Sequence, residues 1–415
     1  MHGVKRTPKT ATTAEARAAR AAKDAAKLRA YLDIERTFFE HRQQSRKDAT
    51  ALAHTTTLLT LNPELYTVWN YRRDILLHTF TQPADDDAPS ATPDVFDVFG
   101  ALRTEAAQSS TDADEARLVR NRQLLDDDLS LTEHALRAHP KVYWIWNHRM
   151  WCLRHYPALS ADAQWAWRRE LRLVERMLEL DARNFHGWNC RRAIIDHLAL
   201  AVVSSAQCDA LAGVESSHAS LTALLTHPTI VAAERDAAKD VKKELMRLAE
   251  TELAYALRQI ERNFSNFSAW HLRSQLLPCV WVAQRLTPAQ EEERLDKELE
   301  LVQQAMYTDP ADQSVWFYHR WLIDRLTTPS REDRSRLRAK LGDEVRAIDE
   351  LHELEPDSKW CAMSLAHLHT LLAQLDPAHA DEHRASAQHR LERLVELDPD
   401  RAQRYRDLLA GRARF

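Results

Sequence analysis

The stretch "HPKVYWIWNHRMWCLRHY" (139–156) is followed forty-two positions on by "DARNFHGWNCRRAIIDHL" (181–198). Trp, Asn and Arg keep their order while the residues just before the Trp change. The same Trp recurs at Trp69, Trp146, Trp188, Trp270, Trp316 and, in a weaker context, Trp360. Three intervals are alike: 188 − 146 = 42, 316 − 270 = 46 and 360 − 316 = 44. The longer ones, 146 − 69 = 77 and 270 − 188 = 82, each read as one repeat carrying an insertion. A repeat of this size signals one supersecondary unit copied along the chain.

Within a repeat the pattern is helical. "NPELYTVWNYRRDILL" reads with Asn62 as an N-cap and Pro63 at the first helical position, and Asp309-Pro310 reads the same way. From the Trp, apolar residues return at helical spacing, as with Trp69, Ile75 and Leu76 or Trp188, Ile194 and Ile195. A second helix such as "AQWAWRRELRLVERMLELD" follows after a short break, so each repeat is expected to be a helical hairpin. One hairpin cannot bury its apolar stripe alone, and consecutive hairpins are expected to stack into an all-α solenoid. The expected organisation is a flexible segment over 1–24 and a hairpin-repeat domain over 25–415. Insertions are expected near 81–116 and 203–238. The first is acidic and Pro-rich, "TQPADDDAPSATPDVFDVFG", the second is rich in small residues, and both read as mobile loops.

Composition excludes several classes. Only six glycines occur in 415 residues, which argues against phosphate loops and dinucleotide folds built on Gly-rich turns. A formal charge of −5 leaves no electrostatic footprint for nucleic acid. Cys152, Cys190, Cys208, Cys279 and Cys361 are scattered without a C-x-x-C pair, against a disulfide framework or a thiolate zinc site. No apolar run approaches the roughly 18 residues of a membrane span, and the N-terminus lacks a signal-peptide core. A cytoplasmic protein is the expectation.

The invariant and variable letters separate into two roles. Trp and the Arg three residues on (Arg72, Arg149, Arg191, Arg273) share a helix face. The indole is expected in the inter-hairpin core and the guanidinium on carbonyls or carboxylates of a neighbouring turn. The fifth repeat has His319 at the Arg position. Five residues before the Trp stand Glu64, Lys141, Arg183, Ser265 and Ala311; two before it stand Thr67, Trp144, His186, Ser268 and Ser314. These are expected in the first turn, facing a rim that meets something else. A lysine there opposes the helix dipole unless an anion accompanies it, which singles out Lys141.

These motifs resemble the α-subunit repeat of the protein prenyltransferases, from about residue 25 to the end and excluding the insertions. "NPELYTVWNYRR", "HPKVYWIWNHR", "DARNFHGWNCRR", "NFSNFSAWHLRS" and "DPADQSVWFYHRW" carry the likeness. The start "MHG", the Ala/Arg/Lys-rich first helix and "LHELEPDSKWC" are most similar to the α subunits of the type II, Rab-directed geranylgeranyl enzymes. No L-x-x-L-x-L pattern is present, so the chain resembles their short fungal form.

The resemblance implies a right-handed superhelical solenoid that is half of an enzyme. A β subunit would hold the zinc and the isoprenoid pocket, and geranylgeranyl diphosphate would be co-substrate. Cysteines at the C-terminus of Rab GTPases, presented by an escort protein, would be acceptors. The family's catalytic lysine falls on Lys141, with Tyr143 after it and His186 in the next hairpin. Val142 replaces a common Asn and Arg183 a common Lys. His2 is a further candidate, as a transient ligand for zinc's open position. Two alternatives stay open: the shared α subunit of the farnesyl and type I enzymes, and a non-catalytic helical scaffold.

Overall fold

The structure, a computed structural model, describes residues 14–83, 105–157, 164–206, 220–234, 236–328 and 333–415. The described residues form helices and turns, in two compact units, 1–174 and 175–415.

The first unit holds α1 (Ala14–Gln43), α2 (Ala49–Leu61), α3 (Tyr66–Thr81), α4 (Glu105–Ala138), α5 (Tyr143–Arg154) and the start of α6 (Trp165–Leu180). Successive helices pack on one another, and α3 also packs on α5. The second unit continues from α6 through α7 (Phe185–Ser205), α8 (Leu221–Thr226), α9 (Pro228–Ala232) and α10 (Asp236–Arg262). Then come α11 (Phe267–Gln284), α12 (Pro288–Thr308), α13 (Gln313–Leu326) and α14 (Arg334–Leu354). It closes with α15 (Lys359–Leu375), α16 (Ala380–Leu397) and α17 (Ala402–Leu409). Here α11 packs on α13 and α13 on α15, so the Trp-bearing helices stack in chain order. This is the all-α hairpin solenoid that the period implied.

Each Trp is fixed by one hydrogen bond. The indole N–H donates to the carbonyl six residues back: Trp69 to Pro63 at 2.9 Å, Trp146 to Pro140 at 2.9 Å, Trp188 to Ala182 at 2.9 Å. Trp270 donates to Phe264 at 2.8 Å and Trp316 to Pro310 at 2.9 Å. A buried indole needs a partner for its N–H, and the turn between the two helices of a hairpin supplies it. That bond corrects the expected helix starts. Asn62 and Asp309 are C-caps of α2 and α12, not N-caps. Their side-chain oxygens accept from the N–H two residues on, at 3.2 and 3.1 Å, forming Asx turns. The Trp helices begin three residues before the Trp, capped by Leu65, Val142, Asn184, Asn266 and Asp312. Glu64, Lys141, Arg183, Ser265 and Ala311 therefore lie in the turn, not in the first helical turn.

The residue three after the Trp joins consecutive hairpins. Buried Arg72 pairs with Asp128 of α4, Nε to Oδ2 at 2.9 Å, and donates to the Thr55 hydroxyl of α2 at 2.7 Å. Arg149 does the same with Glu170 (2.7 Å) and Thr132 (2.9 Å). Arg191 pairs with Glu252 (2.8 Å), Arg273 with Glu298 (2.7 Å), and His319, in the Arg position, with Glu344 (3.0 Å). Each of these side chains thus ties its helix to the first helix of the following hairpin, the carboxylate option among those expected. Two carboxylates are held from both sides: Asp128 also meets His148 at 2.7 Å, and Glu298 accepts from the Tyr318 hydroxyl at 2.8 Å.

The last hairpin departs from the sequence register. Ser358 caps α15 in the place taken by Asp312 in α13, so Ala362, not Trp360, occupies the Trp position. Ala362 is buried in a cluster with Leu394 of α16 and Tyr405 of α17. Two further expectations change. α1 already begins at Ala14, inside the stretch expected to be flexible. The second insertion is not a plain loop, because α8 and α9 bury Leu221, Leu224, Leu225 and Ile230. In the first insertion α4 runs from Glu105, while residues 84–104 lie outside the described residues.

Candidate functional site

Lys141 is exposed in the turn between α4 and α5, and Tyr143 opens α5, 54 % exposed. Val142 caps α5 without any side-chain hydrogen bond, and no acidic residue lies in the helix's first turn. The end of the helix therefore presents its partial positive charge beside the Lys141 ammonium, an arrangement that suits an anion. The Tyr143 hydroxyl lies 3.5 Å from Asn147 Nδ2, one turn along. The turn is held from beneath by the Trp146 indole on the Pro140 carbonyl.

His186 is the second residue of α7, in the second unit, and is half-buried. Its ring lies 4.1 Å from that of Phe185. Asn184 caps this helix through Oδ1, accepting from the N–H of His186 at 3.0 Å and of Gly187 at 3.3 Å. Gly187 has a packing reason, since a Cβ there would lie 2.9 Å from Leu178 of α6. His2 lies outside the described residues.

One register escaped the reading of the sequence. The first residue of α3, α5, α7 and α11 is aromatic and solvent-facing: Tyr66 (52 %), Tyr143 (54 %), Phe185 (59 %) and Phe267 (50 %). In α13 that place is Gln313, and Phe317, after the Trp, is exposed instead. Between α7 and α11 a cavity of about 280 Å³ is lined by Phe185, Arg192, Phe267 and His271. Within each unit these aromatics recur in one register, two in the first and two in the second. The signal was legible three residues before each Trp, but the apolar character of these residues resembled core.

The fold also assembles a group invisible to spacing. The ligand-type atoms of Asp128, His148 and Cys152 lie within 4.8 Å of one another, all buried. Their bonding does not suit a metal. Asp128 is occupied by Arg72 and by His148, whose other nitrogen lies 3.2 Å from the Arg73 Nε–H donor. Burial raises the Asp128 carboxyl, but His148 and Arg72 outweigh it and bring it to about 2. Burial above all lowers His148 to about 4, against the pull of Asp128, so the imidazole is neutral. Burial pushes the Cys152 thiol well up. A cation would sit beside two guanidinium groups and displace bonds already made. The described cysteines Cys152, Cys190, Cys279 and Cys361 form no disulfide, and Cys208 lies outside the described residues.

Comparison with known proteins places this geometry. The protein prenyltransferase alpha subunit repeat matches residues 48–79, 125–156, 167–198, 249–279 and 295–326, each spanning a Trp helix or its pair. The geranylgeranyl transferase type-2 subunit alpha of Schizosaccharomyces pombe is 31 % identical over 98 % of this chain and 97 % of that protein. This chain belongs to the geranylgeranyl transferase type-2 α-subunit family. The member from Candida albicans is 27 % identical over 100 % of this chain and 98 % of its own length. The member from Rattus norvegicus is 32 % identical over 72 % of this chain and 38 % of that protein. Among solved structures, a chain of Candida albicans protein geranylgeranyltransferase-I complexed with GGPP superposes with a TM-score of 0.53. It covers 92 % of this chain and 90 % of that one at 16 % identity, a likeness of fold.

Proposed function

We propose that this type-2 α-subunit relative works as half of a heterodimeric Rab geranylgeranyltransferase. It would help transfer the geranylgeranyl group from geranylgeranyl diphosphate to C-terminal cysteines of Rab GTPases presented by an escort protein. The observation that carries the reading is the near full-length likeness to fungal type-2 α subunits. The exposed aromatics opening α3 and α5 in the first unit, and those opening α7 and α11 in the second, would each supply contacts for a β subunit. The same near full-length likeness to type-2 subunits favours this reading over a shared farnesyl and type I α subunit.

In this reading the zinc resides in the β subunit and supplies an activated thiolate on the acceptor cysteine. The work of this chain is electrostatic. The Lys141 ammonium and the uncapped end of α5 meet negative charge that grows on the diphosphate as the C1–O bond breaks. Tyr143 lies one position inside the helix, within reach of the same group as a hydroxyl donor. His186 lies one position further into α7, where α5 has Trp144, and would serve the same group from the next hairpin. No helix among the described residues is long and apolar enough to cross a membrane, which accords with work in the cytoplasm.

The deciding experiment isolates the chain from its own cells with its bound partner. The partner is expected to be a prenyltransferase β subunit, and the pair should prenylate a Cys-Cys or Cys-x-Cys GTPase only when an escort protein is added. Prenylation of short peptides without the escort would favour the shared α subunit. Recovery without a β partner would favour a scaffold.

A further inference from the structure

The end of the second unit contains a cavity of about 400 Å³ between α13, α15 and α17. It lies where the last hairpin departs from the repeat. Ala362 takes the Trp position and clusters with Tyr405 of α17, and Trp360 lines the cavity with Trp316, Phe317 and Phe415. Those rings make one side flat and apolar.

The other side is cationic. Arg320, Lys359, Arg401 and Arg404 line the cavity against one lining carboxylate, Asp324. Lys359 and Arg401 share the buried Asp398 at 3.4 and 3.2 Å, and Arg320 pairs with Asp324 at 3.1 Å. Arg404 makes no ion pair among the described residues, so positive charge is in excess. The Lys359 and Arg401 heads each lie 5.8 Å from the Trp360 ring centroid, bringing charge and apolar wall together.

A third feature points to a ligand independently of the surface charge. His367 of α15 lines the cavity and is only 6 % exposed, yet its ring nitrogens have no hydrogen-bond partner among the described residues. Its ring lies 5.2 Å from that of Phe415. The nitrogens are open to the cavity, where a ligand bearing an acceptor or donor would bond them. Burial, with Arg320 and His319 nearby, holds this histidine neutral, its pKa lowered to about 3.

We propose that this cavity binds a small amphiphilic anion, a phosphate or carboxylate head on a flat apolar body. The head would meet Arg404 and its neighbours and His367, and the body would lie between Trp316, Trp360 and Phe415. The size suits a single small ligand. The inference is independent of the role given to Lys141.

Calorimetric titration of the full chain tests it, with 1-naphthyl phosphate and 1-naphthoate as the two candidate heads. Inorganic phosphate and neutral 1-naphthylmethanol serve as the half-ligands. Saturable binding of at least one naphthyl anion is expected, weakened about tenfold or more by Arg404→Glu, which removes a charge-assisted bond. His367→Leu should weaken it too, while raising the melting temperature by filling the cavity with an apolar group. Arg404 is exposed, so its reversal should leave the melting temperature unchanged. No saturable binding of either anion, or affinity unchanged in both variants, overturns the site. Equal affinity for phosphate alone or for the neutral alcohol overturns the amphiphilic assignment.

Discussion

The indole of Trp146 donates its N–H at 2.9 Å to the carbonyl of Pro140, the residue immediately before Lys141. A core side chain therefore sets the turn that carries the candidate catalytic cation. Trp146→Phe keeps most of the ring but removes the donor. The loss of one buried hydrogen bond should cost about 1–3 kcal/mol, measured by denaturant unfolding. The turnover number should fall as well, by less than in Lys141→Ala, because the lysine is loosened and not removed.

Lys141→Ala should lower kcat by about 10² to 10³ while the complex with its partner still assembles, the usual result of deleting one preorganised stabiliser. Binding of geranylgeranyl diphosphate should weaken less, since charge on the leaving group grows only as the bond breaks. Lys141→Arg should restore part of the rate. Single-turnover prenylation with purified complexes checks this, and a wild-type chemical rate in Lys141→Ala would remove Lys141 from the mechanism.

Glu298 is buried between Arg273 of one Trp helix and Tyr318 of the next. Glu298→Ala leaves a guanidinium and a buried hydroxyl without their partner, and should destabilise the fold by about 3–5 kcal/mol. The double variant Arg273→Met with Glu298→Leu should cost less than Glu298→Ala alone, because it leaves no buried charge. A larger loss in the double variant would show that the pair contributes net stability.

Stability should fall on mild acidification. Burial lowers His148 to about 4, despite Asp128 beside it, and lowers His369 to about 4, with His383 and Arg390 adding to the effect. His367 is lowered to about 3. In the unfolded chain all three titrate near 6.5, so between about pH 6.5 and 4 the unfolded state binds protons that the folded state does not. Each contributes a loss of at most about 1.4 kcal/mol per pH unit as pH falls through that window. The stabilisation from Asp128, held at about 2, is present above about pH 4 and is lost only as pH falls further, toward 2. Melting temperatures from pH 7.5 to 4.5 should drop, and His367→Leu should flatten the slope.

The sequence by itself determined the repeat, the helical hairpins and the five Trp positions, because a 3.6-residue apolar period and a fixed spacing are local properties of the chain. It also marked Lys141, by a residue type that a helix terminus disfavours. The tertiary structure decided what depends on atoms far apart in the chain. Only packing showed that the indole bonds the turn carbonyl, which moved the helix starts past Asn62 and Asp309 and put Lys141 in the turn. Only packing paired each Arg with a carboxylate as far off as Asp128 from Arg72, since insertions of different length separate the partners. The final hairpin makes the same point: spacing chose Trp360, but a helix's register is set by its cap and by which side chain fills the shared core. There the Ser358 cap puts Ala362 in the Trp position, clustered with Tyr405, and Trp360 lines a cavity instead.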